Sequence, residues 1–114
     1  MGQKTVQELA NGATIALTIA DGETTSSAAA LLGAIPAKLH IPSGFEGTTV
    51  TFTISPFGTT YHAFYDQDNA AVSMTVAAGR SYELPLPQFL GIRYLKVIAG
   101  TAQTGAATLY LDVA

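Results

Sequence analysis

Apolar and polar residues alternate along much of this chain. In Thr49–Ser55 (TVTFTIS) the apolar side chains fall on one face of an extended backbone and the hydroxyl side chains on the other. Thr14–Ile19 and segments 72–76 and 108–113 repeat this pattern. A period of two is typical of strands in an antiparallel sheet with one buried face. We therefore predict a strand at each of these segments.

Weaker strand patterns and regularly spaced turns lie between them. Segments 38–41, 60–65, 80–84 and 94–99 are extended in character but alternate less strictly. The turn-forming sequences are Asp21-Gly22, Pro42-Ser43-Gly44, Pro56-Phe57-Gly58, Asp68-Asn69, Ala78-Gly79 and Ala99-Gly100. About seven or eight strands with turns every 8–12 residues or so predict an all-β, antiparallel β-sandwich or jelly roll. A chain of 114 residues fits a single domain of this kind, spanning 1–114.

Three segments depart from the strand pattern. Residues 26–32 have helix-forming composition, but the turn residues on either side leave too little room for a stable helix, so we expect an irregular strand. Residues 86–91 predict one short helical turn, with Pro87 at its start and Gly91 at its left-handed exit. Residues 1–11 precede the first clear strand and are a candidate N-terminal arm, within which Thr5 to Ala10 could instead form a strand.

The surface predicted from the composition is nearly uncharged. Charged residues make up 11% of the chain, against about 25% in an ordinary soluble domain. Much of the surface must be Thr, Ser, Ala, Gln and Gly, which suits a subunit that packs into an assembly. The net charge is −3 and the five basic residues form no cluster, so we expect no nucleic acid partner.

Other features of the sequence exclude further classes of protein. The chain has no cysteine, which removes disulfides, zinc–thiolate sites and thiol nucleophiles. No stretch approaches the roughly 18 apolar residues of a membrane-spanning helix, and no signal peptide follows Met1. We therefore expect no membrane partner and a protein that is made and folded in a cytoplasm.

The densest group of potential ligands is the acidic stretch 66–69, DQDN. An EF-hand loop that starts at Asp66 would need an oxygen ligand at position 70, Gly at 71 and Glu at 77, and alanine occupies all three positions. Asp and Asn also suit a hairpin turn, because their side chains bond the backbone and tolerate φ > 0. We predict such a turn, and weak cation binding by Asp66 and Asp68 stays open.

No catalytic set follows from the spacing of the residues. His40 and His62 lie in separate predicted strands, and each is expected on a solvent-facing strand surface. The sequence has no Gly-x-Ser-x-Gly elbow and no phosphate-binding loop, and its eight acidic residues lie mostly at predicted turns. We therefore predict no enzyme activity, no catalytic residues, no cofactor and no bound metal.

Aromatic residues gather around the predicted hairpin at 56–65. Phe57, Tyr61 and Tyr65 are the candidate interface residues there, and Val6 and Leu9 join them from the N-terminal arm. Aromatic faces beside polar loops serve both sugar recognition and protein interfaces, and the alternative is that these rings pack in the core. Exposure of the three rings on one patch with a concave polar floor would favour a carbohydrate-binding surface.

Several turn and core signatures occur in an order that resembles a known group of proteins. They are Thr24-Thr25-Ser26-Ser27-Ala28, Gly33-Ala34-Ile35-Pro36, residues 49–61 (TVTFTISPFGTTY), Tyr65-Asp66-x-Asp68, residues 76–80 (VAAGR), residues 89–97 (FLGIRYLKV) and residues 100–103 (GTAQ). In this order they resemble small β-sandwich structural proteins encoded among the virion genes of tailed bacteriophages and prophages. The resemblance covers about residues 20–113.

That resemblance implies a non-enzymatic virion structural protein, in the first place a capsid decoration (cement) protein. Its partner would be the major capsid protein, and it would lie on the capsid surface of the virion as a homo-oligomer, with a trimer favoured. Such a protein stabilises the shell because it binds only the assembled particle. The alternative is a carbohydrate-binding or adsorption module on a phage tail or fibre, and the sequence leaves both open.

Overall fold

Two antiparallel β-sheets packed face to face form the described part of the chain. The computed structural model describes residues 13–114. Its strands are β1 (Thr14–Ile19), β2 (Ala29–Ala30), β3 (Pro36–His40), β4 (Thr49–Ser55), β5 (His62–Ala63), β6 (Ser73–Thr75), β7 (Ser81–Glu83), β8 (Tyr94–Ala99) and β9 (Ala107–Val113), and helix α1 (Leu86–Phe89) lies between β7 and β8. Sheet A has the strand order β1-β9-β3-β7, and sheet B has the order β2-β8-β4-β5, with β6 also paired to β4.

The strand order confirms the predicted jelly-roll sandwich. Every strand pair is antiparallel. When β6 is set aside, the two sheets interleave as the two Greek keys of an eight-stranded jelly roll do. The described residues contain nine strands, of which β2 and β5 have two residues each, against the seven or eight that the turn spacing predicts.

The alternation in the sequence places apolar side chains between the sheets. In β4, Val50 and Phe52 are buried, while the hydroxyl side chain of Thr51 lies on the outer face. In β9, Leu109 and Leu111 are buried in the same way on the facing sheet. Removing one such side chain from water stabilises the fold by about 1.5–3 kcal/mol, so the strand faces are set by this burial.

One turn of helix adds an aromatic ring to the core and confirms the prediction for 86–91. α1 contains Pro87 in its first turn, where the missing N–H costs nothing. Phe89 at its end is fully buried, and its ring meets those of Phe52 and Phe64 edge to face, with centroids 5.1 and 5.7 Å apart. Gly91 then takes φ 79°, which is the left-handed exit expected there.

The segment predicted as an irregular strand, 26–32, contains the short β2, which pairs with β8, and an isolated bridge between Ser26 and Ile19. A tight turn follows it, in which the N–H of Ala34 donates to the carbonyl of Leu31 at 2.7 Å. Leu32 and Gly33 at its centre have φ values of 50° and 86°. Two successive positive φ values are characteristic of a type I′ turn.

The predicted hairpin between 60–65 and 72–76 differs from the structure in its strands. β5 and β6 pair one after the other along the same edge of β4, rather than with each other. Between them, the Tyr65–Ala71 bridge and the hydrogen bond from the N–H of Val72 to the carbonyl of Phe64 close the loop that connects β5 to β6. β4 has seven residues, and its backbone groups on that edge need partners along the whole length, so two short strands share it.

Two of the sequence predictions fall on residues that the structure does not describe. Val6 and Leu9, and the N-terminal arm to which they belong, lie outside residues 13–114. Their role at an interface stays a prediction. Within the described range, no helix is long and apolar enough to cross a membrane.

Candidate functional site

The acidic stretch 66–69 forms a closed turn, as predicted. Oδ1 of Asp66 accepts hydrogen bonds from the N–H groups of Asp68 and Ala70, at 2.9 and 3.0 Å. The N–H of Asp66 donates to the carbonyl of Ala70 at 2.8 Å, and that of Asn69 donates to the carbonyl of Asp66 at 3.1 Å. Asn69 has φ 62°, the left-handed conformation that Asn tolerates. These four bonds fix the shape of the turn before any ligand arrives.

The same geometry limits what the turn can hold as a metal site. One oxygen of Asp66 is already committed to two backbone N–H groups. Across residues 13–114, no group of three or more His, Cys, Asp or Glu side chains could hold a metal ion. Weak cation binding by Asp66 and Asp68, which the sequence leaves open, would therefore depend on backbone carbonyls and water for most of its ligands.

The turn forms one wall of an open cleft, which we call the Tyr65 cleft. Its volume is about 490 Å³, within the range of roughly 300–1,000 Å³ that is usual for small-molecule sites. Helix α1 forms the facing wall through Pro87 and Gln88. The lining residues are Phe64, Tyr65, Asp66, Gln67, Asp68, Val72, Pro87 and Gln88.

The Tyr65 cleft combines an aromatic ring with hydrogen-bonding groups. Tyr65 is 50% exposed. Gln67, Asp68 and Gln88 are exposed polar residues that line the same cleft. Amides both donate and accept hydrogen bonds, a carboxylate accepts them, and the ring offers a flat apolar face. Such a cleft can bind a small cyclic molecule that carries several hydroxyl groups.

Burial of Phe89 holds the helical wall of the cleft in place. Because Phe89 is fully buried between Phe52 and Phe64, the preceding residues Pro87 and Gln88 are turned outward and exposed. Pro87 also fixes its own backbone φ. Both walls are therefore held by contacts within the protein, which lowers the entropic cost of binding a ligand.

Two further clefts lie next to the Tyr65 cleft, towards the start of β8. The first, of about 320 Å³, shares Phe64 and Gln88 with the Tyr65 cleft and reaches residues 91–93. The second, of about 470 Å³, shares residues 91–93 with the first and reaches Leu32. We call these two clefts together the Arg93 furrow.

Phe57 has surroundings different from those of Tyr65, although both belong to the predicted aromatic cluster. The hydroxyl oxygen of Ser55 accepts hydrogen bonds from the N–H groups of Phe57 and Gly58, at 3.3 and 2.9 Å, and this closes a turn. The ring of Phe57 is 81% exposed at that turn. It lines neither the Tyr65 cleft nor the Arg93 furrow.

Tyr61 contacts the outer face of sheet B. The ammonium nitrogen of Lys96 lies 4.2 Å from the centroid of its ring, in a cation–π contact. Burial, together with the nearby Tyr94, raises the pKa of Tyr61 above its ordinary value. Tyr61 is half-buried, and its ring packs on the outer face of sheet B. Of the three rings, only Tyr65 lines one of the three clefts, so the single patch of three exposed rings that would favour a carbohydrate-binding surface does not form.

A row of polar side chains crosses the outer face of sheet A, and spacing in the sequence does not reveal it. Nδ1 of His40 lies 2.6 Å from Oγ of Ser81, and Nε2 lies 2.7 Å from Oδ2 of Asp112. The hydroxyl of Thr14 donates to Oδ1 of Asp112 at 2.8 Å. His40 does lie on the outer face, as expected, but it is half-buried and bonded through both ring nitrogens. We call these four residues the His40 row.

The His40 row affects the charge state of its carboxylate. Hydrogen bonds from His40 and Thr14, with a smaller contribution from the charge of Lys38, hold the pKa of Asp112 below its ordinary value. Hydrolase triads also combine Ser, His and Asp, but there the serine bonds Nε2 and the aspartate Nδ1, which is the reverse of this arrangement. None of the three clefts is lined by these residues. We interpret the row as a set of side-chain hydrogen bonds that link the strands of sheet A.

The comparisons with known proteins bear on the fold. No protein-family profile matches the sequence, and no curated protein is significantly similar to it. Among solved structures, the chain is similar to CBM32-1, a carbohydrate-binding module from a family 31 glycoside hydrolase of Clostridium perfringens. The two are 12% identical, the match covers 96% of this chain and 84% of that chain, and the TM-score is 0.53. This likeness confirms the β-sandwich fold.

Proposed function

We propose that this chain is a non-enzymatic carbohydrate-binding module and that its ligand occupies the Tyr65 cleft. The observation that carries the proposal is the half-exposed ring of Tyr65 beside the exposed polar residues Gln67, Asp68 and Gln88 in one cleft. The similarity in architecture to CBM32-1 adds support at the level of the fold.

The two kinds of contact in the cleft match the two kinds of surface on a sugar. A pyranose ring has an apolar face of C–H groups, which can stack on the ring of Tyr65 and bury apolar area. Its hydroxyl groups can exchange hydrogen bonds with the amides of Gln67 and Gln88 and donate to the carboxylate of Asp68. Because the 66–69 turn is closed by its own hydrogen bonds, it loses little conformational entropy when the sugar binds.

A glycan array probed with the full chain and two variants tests this proposal. We expect the natural chain to bind a subset of glycans, and Tyr65→Ala to weaken that binding by about tenfold or more, because the stacking face is lost. Phe57→Ala is the matched control, since it removes another exposed ring that lies outside the cleft. Absence of binding to any glycan, or equal binding by natural chain and Tyr65→Ala, would count against the proposal.

A second candidate function is capsid decoration in a bacteriophage virion, and a different observation favours it. Phe57 is 81% exposed on a turn that Ser55 holds in place. An exposed aromatic ring on a fixed turn is a suitable anchor for a protein interface, and the weakly charged, hydroxyl-rich strands suit an assembly. Under this proposal the partner is the major capsid protein, and the chain binds the capsid surface as a homotrimer.

Co-sedimentation with empty capsids of a tailed bacteriophage separates the two candidates. Capsid decoration predicts that the natural chain sediments with the capsids, that Phe57→Ala does not, and that Tyr65→Ala still does. A carbohydrate-binding module predicts no sedimentation with capsids that carry no glycan. Loss of glycan binding in Tyr65→Ala is therefore the result expected of a carbohydrate-binding module. Loss of capsid binding in Phe57→Ala is the result expected of a decoration protein.

A further inference from the structure

Arg93 is the single charged side chain at the Arg93 furrow. Every other residue that lines its two clefts is uncharged. Among residues 13–114, the one acid–base pair at ion-pair distance is His40 with Asp112, so no described carboxylate neutralises Arg93. An exposed guanidinium in this setting presents a planar fork of N–H donors, which matches the two oxygens of an anionic group.

The backbone that carries Arg93 is held in position. Its carbonyl accepts a hydrogen bond from the N–H of Leu31 at 2.9 Å, which ties it to the type I′ turn between Leu31 and Ala34. The next residue, Tyr94, begins β8. The guanidinium therefore extends from a fixed base between that turn and the residues that follow α1.

The furrow also exposes leucine side chains in an unfavourable setting. Leu32 has φ 50°, a left-handed conformation that bulky L-residues rarely adopt, and it is 62% exposed. Leu90, which lines the other cleft of the furrow, is 55% exposed. Neither the left-handed backbone of Leu32 nor its exposed apolar side chain stabilises the fold. Strained backbone conformations of this kind are common at binding sites.

We infer that the ligand of the proposed carbohydrate-binding module is an acidic glycan whose anionic group binds Arg93. The inference rests on the proposed function and names its class of ligand. The anionic group is a carboxylate or a sulfate ester, since both offer oxygens that match the guanidinium fork. Apolar parts of the glycan lie against Leu32 in one cleft of the furrow and against Leu90 in the other.

The charges along the clefts set the direction in which such a glycan binds. The Arg93 furrow and the Tyr65 cleft share Phe64 and Gln88 in their linings, so they adjoin, and one oligosaccharide can contact both. Asp66 and Asp68 lie in the Tyr65 cleft and would repel an anionic sugar unit. The anionic unit therefore occupies the furrow, and a neutral unit of the same glycan occupies the Tyr65 cleft.

Calorimetric titration with matched sets of oligosaccharides tests the inference. Each set holds a neutral glycan, its uronic acid counterpart and its sulfated counterpart. We expect the natural chain to bind at least one charged member about 10- to 100-fold more tightly than the neutral one, which is the range for a charge-assisted hydrogen-bonded pair. Arg93→Gln should bind all three members alike. Arg80→Gln, which changes an exposed arginine that lines none of the three clefts, should behave as the natural chain does.

The outcomes separate this inference from the function on which it rests. Preference for the carboxylated or for the sulfated member identifies the anionic group, and loss of that preference in Arg93→Gln alone supports the inference. If the natural chain binds neutral and charged members equally, or if Arg93→Gln keeps the preference, the inference is wrong while carbohydrate binding stands. If no member of any set binds, the proposed function fails as well.

Discussion

Nε2 of His40 lies 2.7 Å from Oδ2 of Asp112, and this contact links β3 to β9, the two middle strands of sheet A. On either side of it, Ser81 bonds His40 and Thr14 bonds Asp112, so the row reaches both edge strands. A slip of one residue in the pairing would carry a strand's side chain to the opposite face of the sheet. The His40 row therefore favours one register of the strands in addition to stabilising them.

Acid should weaken the His40 row. Because folding lowers the pKa of Asp112 below its ordinary value of 3.8, the carboxylate stabilises the fold above that value, and the contribution is lost as the pH falls through the lower pKa of the folded state. Asp112→Asn should lower the free energy of unfolding at neutral pH by at most about 1 kcal/mol, since the side chains of His40 and Asp112 are 37% and 36% exposed.

Urea denaturation at several pH values measures this effect. The difference in free energy of unfolding between the natural chain and Asp112→Asn should be present near pH 7 and should shrink as the pH falls below 3.8, the ordinary pKa of the carboxyl group. Glu83→Gln, which removes an exposed charge from the neighbouring β7, controls for the change in net charge. If the difference in free energy of unfolding were the same at every pH, the ionised carboxylate of Asp112 would add no stability through its bonds to His40 and Thr14.

Loss of the Phe89 ring should destabilise the fold strongly. Phe89→Ala empties the space between Phe52 and Phe64, so the free energy of unfolding should fall by about 3–5 kcal/mol. Phe57→Ala removes the same side chain from an exposed site, and the free energy of unfolding should change by no more than about 0.5 kcal/mol. Equal effects in chemical denaturation would mean that α1 does not anchor the wall of the Tyr65 cleft.

Gly58 should tolerate a side chain less well than another glycine with the same backbone conformation. Gly58 and Gly105 have φ values of 81° and 87°, so alanine costs about 1 kcal/mol at either position. At Gly58 a Cβ atom would also meet the ring of Tyr94 at 3.2 Å, whereas at Gly105 it would meet nothing within 4 Å. Gly58→Ala should therefore lower the thermal midpoint more than Gly105→Ala, and the reverse order would contradict the close approach of this turn to Tyr94.

Leu32 should be replaceable with a gain in stability. Asn is favoured over Leu in the left-handed first position of a type I′ turn, so Leu32→Asn should raise the free energy of unfolding by about 0.5–1 kcal/mol. Leu90→Asn makes the same chemical change at an exposed leucine with φ −69°, and it should bring no gain. If the further inference is right, Leu32→Asn should at the same time bind acidic glycans less tightly, which calorimetry can measure.

The fold could be predicted from the sequence because local patterns specify it. The alternation in Thr49–Ser55 and the turn at Asp66-Gln67-Asp68-Asn69 follow from side-chain periodicity and from hydrogen bonds within a few residues. The helical turn α1 and the left-handed Gly91 that follows it are also determined locally. The sharing of one edge of β4 by β5 and β6 was not predicted, since it depends on the length of a third strand.

The site could be predicted only in part, because packing over long sequence separations assembles it. Tyr65 was a candidate from its place beside polar residues, but Gln88 reaches the same cleft only because Phe89 is inserted into the core. His40 and Asp112 are 72 positions apart, and strand pairing alone brings them together. Likewise, only folding brings together the residues that form a furrow around Arg93, and no acidic residue lines it.

The most direct test of the central claim is a backbone NMR titration of the full chain with the tightest-binding glycan from the array. Carbohydrate binding in the Tyr65 cleft predicts that the amide signals of residues 64–68, Val72, Gln88 and Arg93 shift with a common binding curve. The amides of the His40 row on sheet A should stay unchanged. Shifts confined to sheet A or to the turn at Phe57, or no shift with any glycan, would contradict the account.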